Sequence, residues 1–224
     1  MPTVIGDPKL EALLEELHAQ SDAQAQATHD YFRARAEAGE LSWEGLDEPA
    51  QRFMSDKLVA FDRDKAAFCY LLCRALGARR VVEAGTSYGV STLYLAAAMR
   101  DNGGGVVIGT EHEPAKAEAA RANFAAAGLA EFIDLREGDL RETLNDTGGP
   151  VDFMLIDIWV EMARPALELL APRLRPGAIV IADNTAGFRE AYRGYFDFVE
   201  DPANRFRTQT LPFDGGLEMT VRCA

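Results

Sequence analysis

The chain has 224 residues, 48% hydrophobic and 26% charged, and its 36 acidic against 23 basic side chains give a formal net charge of −13. That length suits one α/β domain with an extension and a full core, and no apolar run approaches the ~20 residues of a membrane span. The acidic balance, with no run of Lys or Arg, argues against a nucleic-acid partner, whose affinity rests largely on neutralising phosphates.

In chain order, Asp7-Pro8 reads as an N-cap with proline at the first helical position. A helix is expected over 9–38, with Leu10, Leu13, Leu14 and Leu17 on one face and Gly39 as its end. Residues 41–48 read as a loop carrying Trp43, followed by helices over 49–60 and 63–76 that stop at Gly77. From residue 79 strands and helices alternate. Strands are expected over 79–84, 106–111, 132–136, 151–157 and 178–182, with helices over 90–100, 114–127, 139–145, 162–171 and 188–199. Two last strands, 206–211 and 217–222, are joined by a hairpin over 212–216 with no helix between them. Alternating strands and helices imply a doubly wound α/β sheet. The closing hairpin adds one antiparallel strand, for seven in all, behind an N-terminal helical extension.

The first residues lack a basic cluster followed by an apolar stretch, so no secretory leader is expected. Three cysteines without paired spacing point to a reducing, cytoplasmic setting. Cys69 and Cys73, four apart on one helix face, read as core. His18, His29 and His112 share no metal-ligand spacing with them.

The chemistry gathers where strands end. Val81 to Thr92 reads as a strand, a glycine turn and a helix start, which lets backbone approach a ligand and aims N–H groups at negative charge. Ser87 stands where a dinucleotide fingerprint has its second glycine, and no Gly-Lys-Ser/Thr follows, so the dinucleotide and phosphate-loop patterns are both missing. Glu111 ends the second strand and can accept from both ribose hydroxyls of a nucleoside; His112 beside it can stack on a base. Asp157, Asp183 and Asn184 fall at the ends of the fourth and fifth strands, where two carboxylates and an amide oxygen would suit Mg²⁺.

The run Glu83-Ala84-Gly85-Thr86-Ser87-Tyr88-Gly89-Val90-Ser91-Thr92 has the form E-x-G-x-x-x-G-x-S-T. It resembles the first motif of class I S-adenosylmethionine (SAM) methyltransferases, in the variant of the catechol and caffeoyl-CoA O-methyltransferases. The resemblance covers roughly residues 60–222. It implies a Rossmann-like methyltransferase domain over 61–224, with 1–60 as a variable helical cap. SAM as cofactor would be held by Glu83, Gly85, Ser87, Gly89, Ser91, Glu111, His112, Asp139 and Asp157. Ser91 would meet the methionine carboxylate, Glu83 the cofactor end or the turn, and Asp139 the adenine amino group; an N-cap explains Asp139 equally well. Mg²⁺ or another divalent cation would sit on Asp157, Asp183 and Asn184, with Asp157 and Trp159 as the catalytic pair. The acceptor would be a hydroxyl of a small molecule, and a homodimer would form through the N-terminal helices as in related bacterial enzymes. One departure matters: the family's general-base lysine, three residues after the metal aspartate, is Val160 here. Glu161, water or the metal would have to serve, while Lys65 reads as lying near the cofactor. Trp43, Trp159, Phe213 and the 211–216 loop either wall the acceptor pocket or pack. The alternatives are a metal-independent SAM methyltransferase on another acceptor and a non-catalytic SAM-binding protein; an NAD-dependent oxidoreductase has the wrong glycine spacing.

Overall fold

A computed structural model describes residues 4–40 and 45–224; Trp43 lies outside the described residues. Asp7 opens α1 (Pro8–Glu37), its carboxylate accepting from the N–H groups of Lys9 and Leu10, with Pro8 placed where no N–H is needed. Leu10, Leu14 and Leu17 form its buried face, and Leu13 packs half-buried against the same core. α2 (Glu48–Met54) is shorter than the helix expected over 49–60. The chain beyond it is held extended by α1, because Gln24 Oε1 accepts from Leu58 N and Ser21 Oγ from Ala60 N. α3 (Arg63–Leu76) matches its expected span, starting on Asp62 and ending at Gly77 in the left-handed region, φ 57°.

There follow β1 (Arg80–Ala84), α4 (Val90–Asp101), β2 (Val106–Glu111), α5 (Pro114–Ala127), β3 (Ile133–Glu137), α6 (Leu140–Thr143), β4 (Val151–Ile156), α7 (Val160–Leu170), β5 (Leu174–Asp183), α8 (Arg193–Glu200), β6 (Phe206–Leu211) and β7 (Leu217–Arg222). The seven strands form one sheet in the order β3-β2-β1-β4-β5-β7-β6. β1 to β5 are parallel, and β7 runs antiparallel to both β5 and β6. The chain winds outward from β1 to β3, then returns past β1 to β4, so the order reverses between β1 and β4. Such a switch point opens a crevice at the carboxyl ends of the strands.

Successive strand residues feed opposite layers of core. Val81, Phe153 and Ile179 pack with α1, α3 and α4, while Val82, Met154 and Val180 pack with α7 and α8. Strands buried on both sides are therefore apolar almost throughout. Beyond α2, two boundaries differ from expectation by four residues or more. β5 starts at Leu174 rather than 178, because its register with β4 slips between Val151 and Phe153 and the irregularity absorbs Pro176 and Gly177. The helix expected over 188–199 begins only at Arg193, after a run of turns. Among the described residues no helix is long and apolar enough to cross a membrane.

Candidate active site

The glycine turn after β1 carries positive φ at Gly85 (95°), Ser87 (50°) and Gly89 (83°). Neither glycine tolerates a side chain. A Cβ on Gly85 would lie 2.1 Å from the Asp157 carbonyl oxygen, and one on Gly89 would lie 2.3 Å from the Phe124 ring. One glycine thus brings the turn onto the end of β4, and the other lets α4 lie against α5.

Glu83 sits wholly buried beneath this turn. It accepts from Thr86 Oγ1 at 2.9 Å, from Ser91 Oγ at 2.7 Å and from Thr92 Oγ1. Burial pushes its carboxyl up, and the three hydroxyls pull it part of the way back. Of the two uses expected for Glu83, its contacts are those of the turn; Ser91 is buried and donates to it. At the end of β2, Glu111 Oε2 accepts from Ser87 N at 2.7 Å, and Oε1 accepts from the N–H groups of His112 and Glu113, each at 2.8 Å. Glu111 is thereby aimed along the rim of the turn with lone pairs to spare. His112 beside it is exposed. Asp139 caps α6, accepting from Arg141 N at 2.8 Å. The Arg141 guanidinium against it holds its carboxyl down to about 2.

Asp157 follows β4 and Asp183 ends β5, one step beyond the register pair Ile156 and Ala182, so the two carboxylates stand at neighbouring strand ends. Both carboxyls are pushed up. Burial is the main cause for Asp157, followed by the charges of Asp183 and Glu83; for Asp183 it is burial again, against the pull of Lys65. Lys65, in the first turn of α3, reaches across with Nζ 2.6 Å from Asp183 Oδ1, and these side chains are 4% and 9% exposed. Asn184, at φ 56°, donates Nδ2 to Asp183 Oδ2 at 2.9 Å. Trp159 stands at the start of α7, 44% exposed. The β6–β7 hairpin closes one side: Gly215 O accepts from Ala186 N and Gly187 N at 3.0 and 2.9 Å, and Phe213 packs on Phe68 with ring centroids 5.5 Å apart.

The turn, Glu111, Asp157, Asp183 and Asn184 therefore share one end of the sheet, while Ser91 and Glu83 lie beneath it. Two neighbours escaped the sequence reading. One is the ion pair of Lys65 with Asp183. It had a signal, since Lys65 falls four residues before Cys69 and eight before Cys73, a charge on the stripe that α3 buries. The other is Tyr192, buried, its phenol pushed up by burial and by the nearby Asp157 and Asp183. It lies in the turns before α8, where a helix was expected, and nothing in the sequence marks it. Among the described residues no group of three or more His, Cys, Asp or Glu is placed to hold a metal.

Residues 82–185 match the family model described as a methyltransferase domain. Over 127 residues the chain is 35% identical to a catechol O-methyltransferase of Mycobacterium tuberculosis, covering 56% of this chain and 57% of that protein. Residues 82–185 thus carry a methyltransferase domain, and the chain is similar to O-methyltransferases. A second relative, a catechol O-methyltransferase of Niastella koreensis, is 31% identical over 134 residues, covering 56% of this chain and 58% of that protein. The chain thus spans somewhat over half the length of these curated relatives. The crystal structure of cofactor-bound Rv0187 from MTB superposes with a TM-score of 0.72 at 25% identity, covering 98% of this chain and 92% of that one. TomG of Streptomyces achromogenes, solved in complex with SAM, shares the fold at 24% identity, with a TM-score of 0.64 and coverage of 80% and 92%.

Proposed function

We propose that this chain transfers the methyl group of SAM to a hydroxyl of a small molecule. The observation that carries the reading is the strand-end arrangement at the switch point: a glycine turn pressed onto the end of β4, with Glu111 bonded to the turn's own backbone beside it. SAM brings an activated methyl group on a sulfonium. The chain's part is to align that methyl with the acceptor oxygen and to favour negative charge on that oxygen. The oxygen–carbon bond forms as the carbon–sulfur bond breaks, S-adenosylhomocysteine (SAH) leaves uncharged, and the hydroxyl proton passes to water. Gly85, Ser87 and Gly89 give the nucleoside close backbone, and Glu111 takes its ribose hydroxyls. Exposed His112 is available to the base, with Asp139 at the same rim. Asp157 borders both cofactor and acceptor, and Trp159 forms an apolar wall for the acceptor.

The divalent ion that the family resemblance suggests for Asp157, Asp183 and Asn184 does not fit the residues as they stand. Asp183 already holds an ammonium on Oδ1, and Asn184 offers it an amide hydrogen. No step here runs through a metal. Three free cysteines, two of them buried, support a reducing and cytoplasmic setting. The exposed Val59 and Leu71 support a homodimer; the mass in solution tests that.

The experiment is SAH titration by calorimetry, followed by transfer from methyl-labelled SAM to a panel of phenols and alcohols. Wild type is expected to bind SAH, Glu111→Ala to weaken it roughly tenfold or more, and label to appear on an oxygen. Label on nitrogen would favour the second reading, a SAM methyltransferase for another acceptor. SAH binding with no turnover on any acceptor would favour a non-catalytic binding protein.

A further inference from the structure

We propose that the Lys65 ammonium is the resident cation of the Asp157–Asp183 pair and stands where a divalent ion would otherwise sit. The inference rests on the methyl-transfer reading, because it assigns the charge at that same centre.

Three observations lead there. The first is placement. Asp62 caps α3 by accepting from Asp64 N and Lys65 N, at 2.9 and 3.1 Å, which fixes the helix start and the origin of the lysine side chain. From that point Lys65 spans 118 positions of sequence to reach Asp183 Oδ1 at 2.6 Å, with 3% of the residue exposed. A lysine is seldom buried so completely unless it is paired. The second is charge. The two carboxylates stand at adjacent strand ends, one step beyond the pair Ile156 and Ala182, and Lys65 brings a positive charge against them from within the chain. The third is competition. A divalent ion on this pair would need Asp183 and would meet an ammonium already on its oxygen. Mg²⁺ also demands near-octahedral oxygen ligation, whereas the amide of Asn184 gives Asp183 a hydrogen and its oxygen lies toward Gly215.

A consequence for the acceptor follows. A metal with open positions can take two vicinal oxygens at once, so it favours catechols and other chelating diols. An ammonium is a compact point charge with three donors and gains nothing from chelation. The acceptor class is therefore a molecule with a single reacting hydroxyl. With Val160 at the position of the general-base lysine in the family that the sequence resembles, Lys65 is the lysine that touches this pair.

The test is Mn²⁺ titration of the whole chain by calorimetry, with SAH present. Wild type and Lys65→Arg, which keeps the charge, are expected to show no saturable Mn²⁺ binding. Lys65→Ala is expected to gain a single site at least roughly tenfold tighter than any wild-type signal, and adding Asp157→Ala is expected to abolish it. SAH binding by each variant reports that it is folded. Saturable, Asp157-dependent binding in wild type overturns the proposal, as does a folded Lys65→Ala that still ignores Mn²⁺. If Lys65→Ala does not fold, the wild-type and Lys65→Arg titrations decide alone. Loss of SAH binding in wild type overturns the methyltransferase reading instead, and the Mn²⁺ arm still reports on the carboxylate pair.

Discussion

Glu83 illustrates how one buried carboxylate can hold a site together without touching what the site binds. Its oxygens take three hydroxyls, two from the first turn of α4 and one from the turn itself. Because burial raises its carboxyl, the folded chain keeps that proton at a pH where the unfolded chain has released it. Folding then loses stability as pH rises from the ordinary glutamate range through the raised folded value. Glu83→Gln cannot ionise and escapes that loss, though it leaves one hydroxyl without its acceptor, at ~1–3 kcal/mol. Chemical denaturation should show the variant clearly weaker than wild type near pH 5, with the gap narrowing toward pH 8. A gap that widens with pH would mean that the ionised form is the one the hydroxyls favour.

At the scale of elements, the contact of α4 with α5 depends on Gly89. Gly89→Ala places a Cβ in the Phe124 ring at a φ that L residues rarely adopt. A loss of ~2–4 kcal/mol is expected from the clash and the backbone strain together. Phe124→Leu in the same chain should recover the steric part and leave the strain, so the two substitutions should add up to less than their separate losses. Thermal unfolding of the cycle measures this. The elements themselves were largely legible in the sequence. α3, α5, β2, β6 and β7 match their expected spans; α3 and α5 are closed by glycines in the left-handed region, and β6 and β7 flank the hairpin connection over 212–216. Where the reading failed, the cause lies elsewhere in the chain. Past the end of α2, side chains of α1 take the N–H groups of Leu58 and Ala60, which the expected helix would have used, and β5 runs through Pro176 because its register with β4 slips there. The same division holds at the site. The turn, Glu111 and the carboxylate pair follow from strand ends, but a contact between Lys65 and Asp183 depends on how α3 docks, which no local pattern encodes.

The whole molecule is strongly acidic, at −13, and its proposed ligands differ in charge. SAM carries one net positive charge at neutral pH and SAH carries none. The summed field should speed the approach of SAM and leave SAH unaffected, and salt should remove the difference. Stopped-flow association is expected to slow several-fold for SAM between low salt and roughly 0.5 M, where the Debye length falls to a few ångströms, with SAH nearly flat. Equal salt dependence for both would place the decisive charge in the cleft alone. α1 also belongs to this scale. It shares the core with α3 and α4, and its start is tied to the end of α4 by Asp7 and Arg100 at 2.6 Å, so cutting it away should cost the sheet much of one layer.

β7 comes after β6 in the chain yet lies inside it in the sheet, between β5 and β6. During synthesis β5 must therefore wait with an open edge until residues 217–222 have emerged, and Asn184 waits with it for the Gly215 loop. The earlier strands can pair as they appear, since domains fold as they are made, but this end of the sheet cannot. Biosynthesis thus has a late, exposed stage, in which an unpaired β5 is open to other strands, and the strand-end cluster of Asp183 and Asn184 is completed only once β7 has arrived.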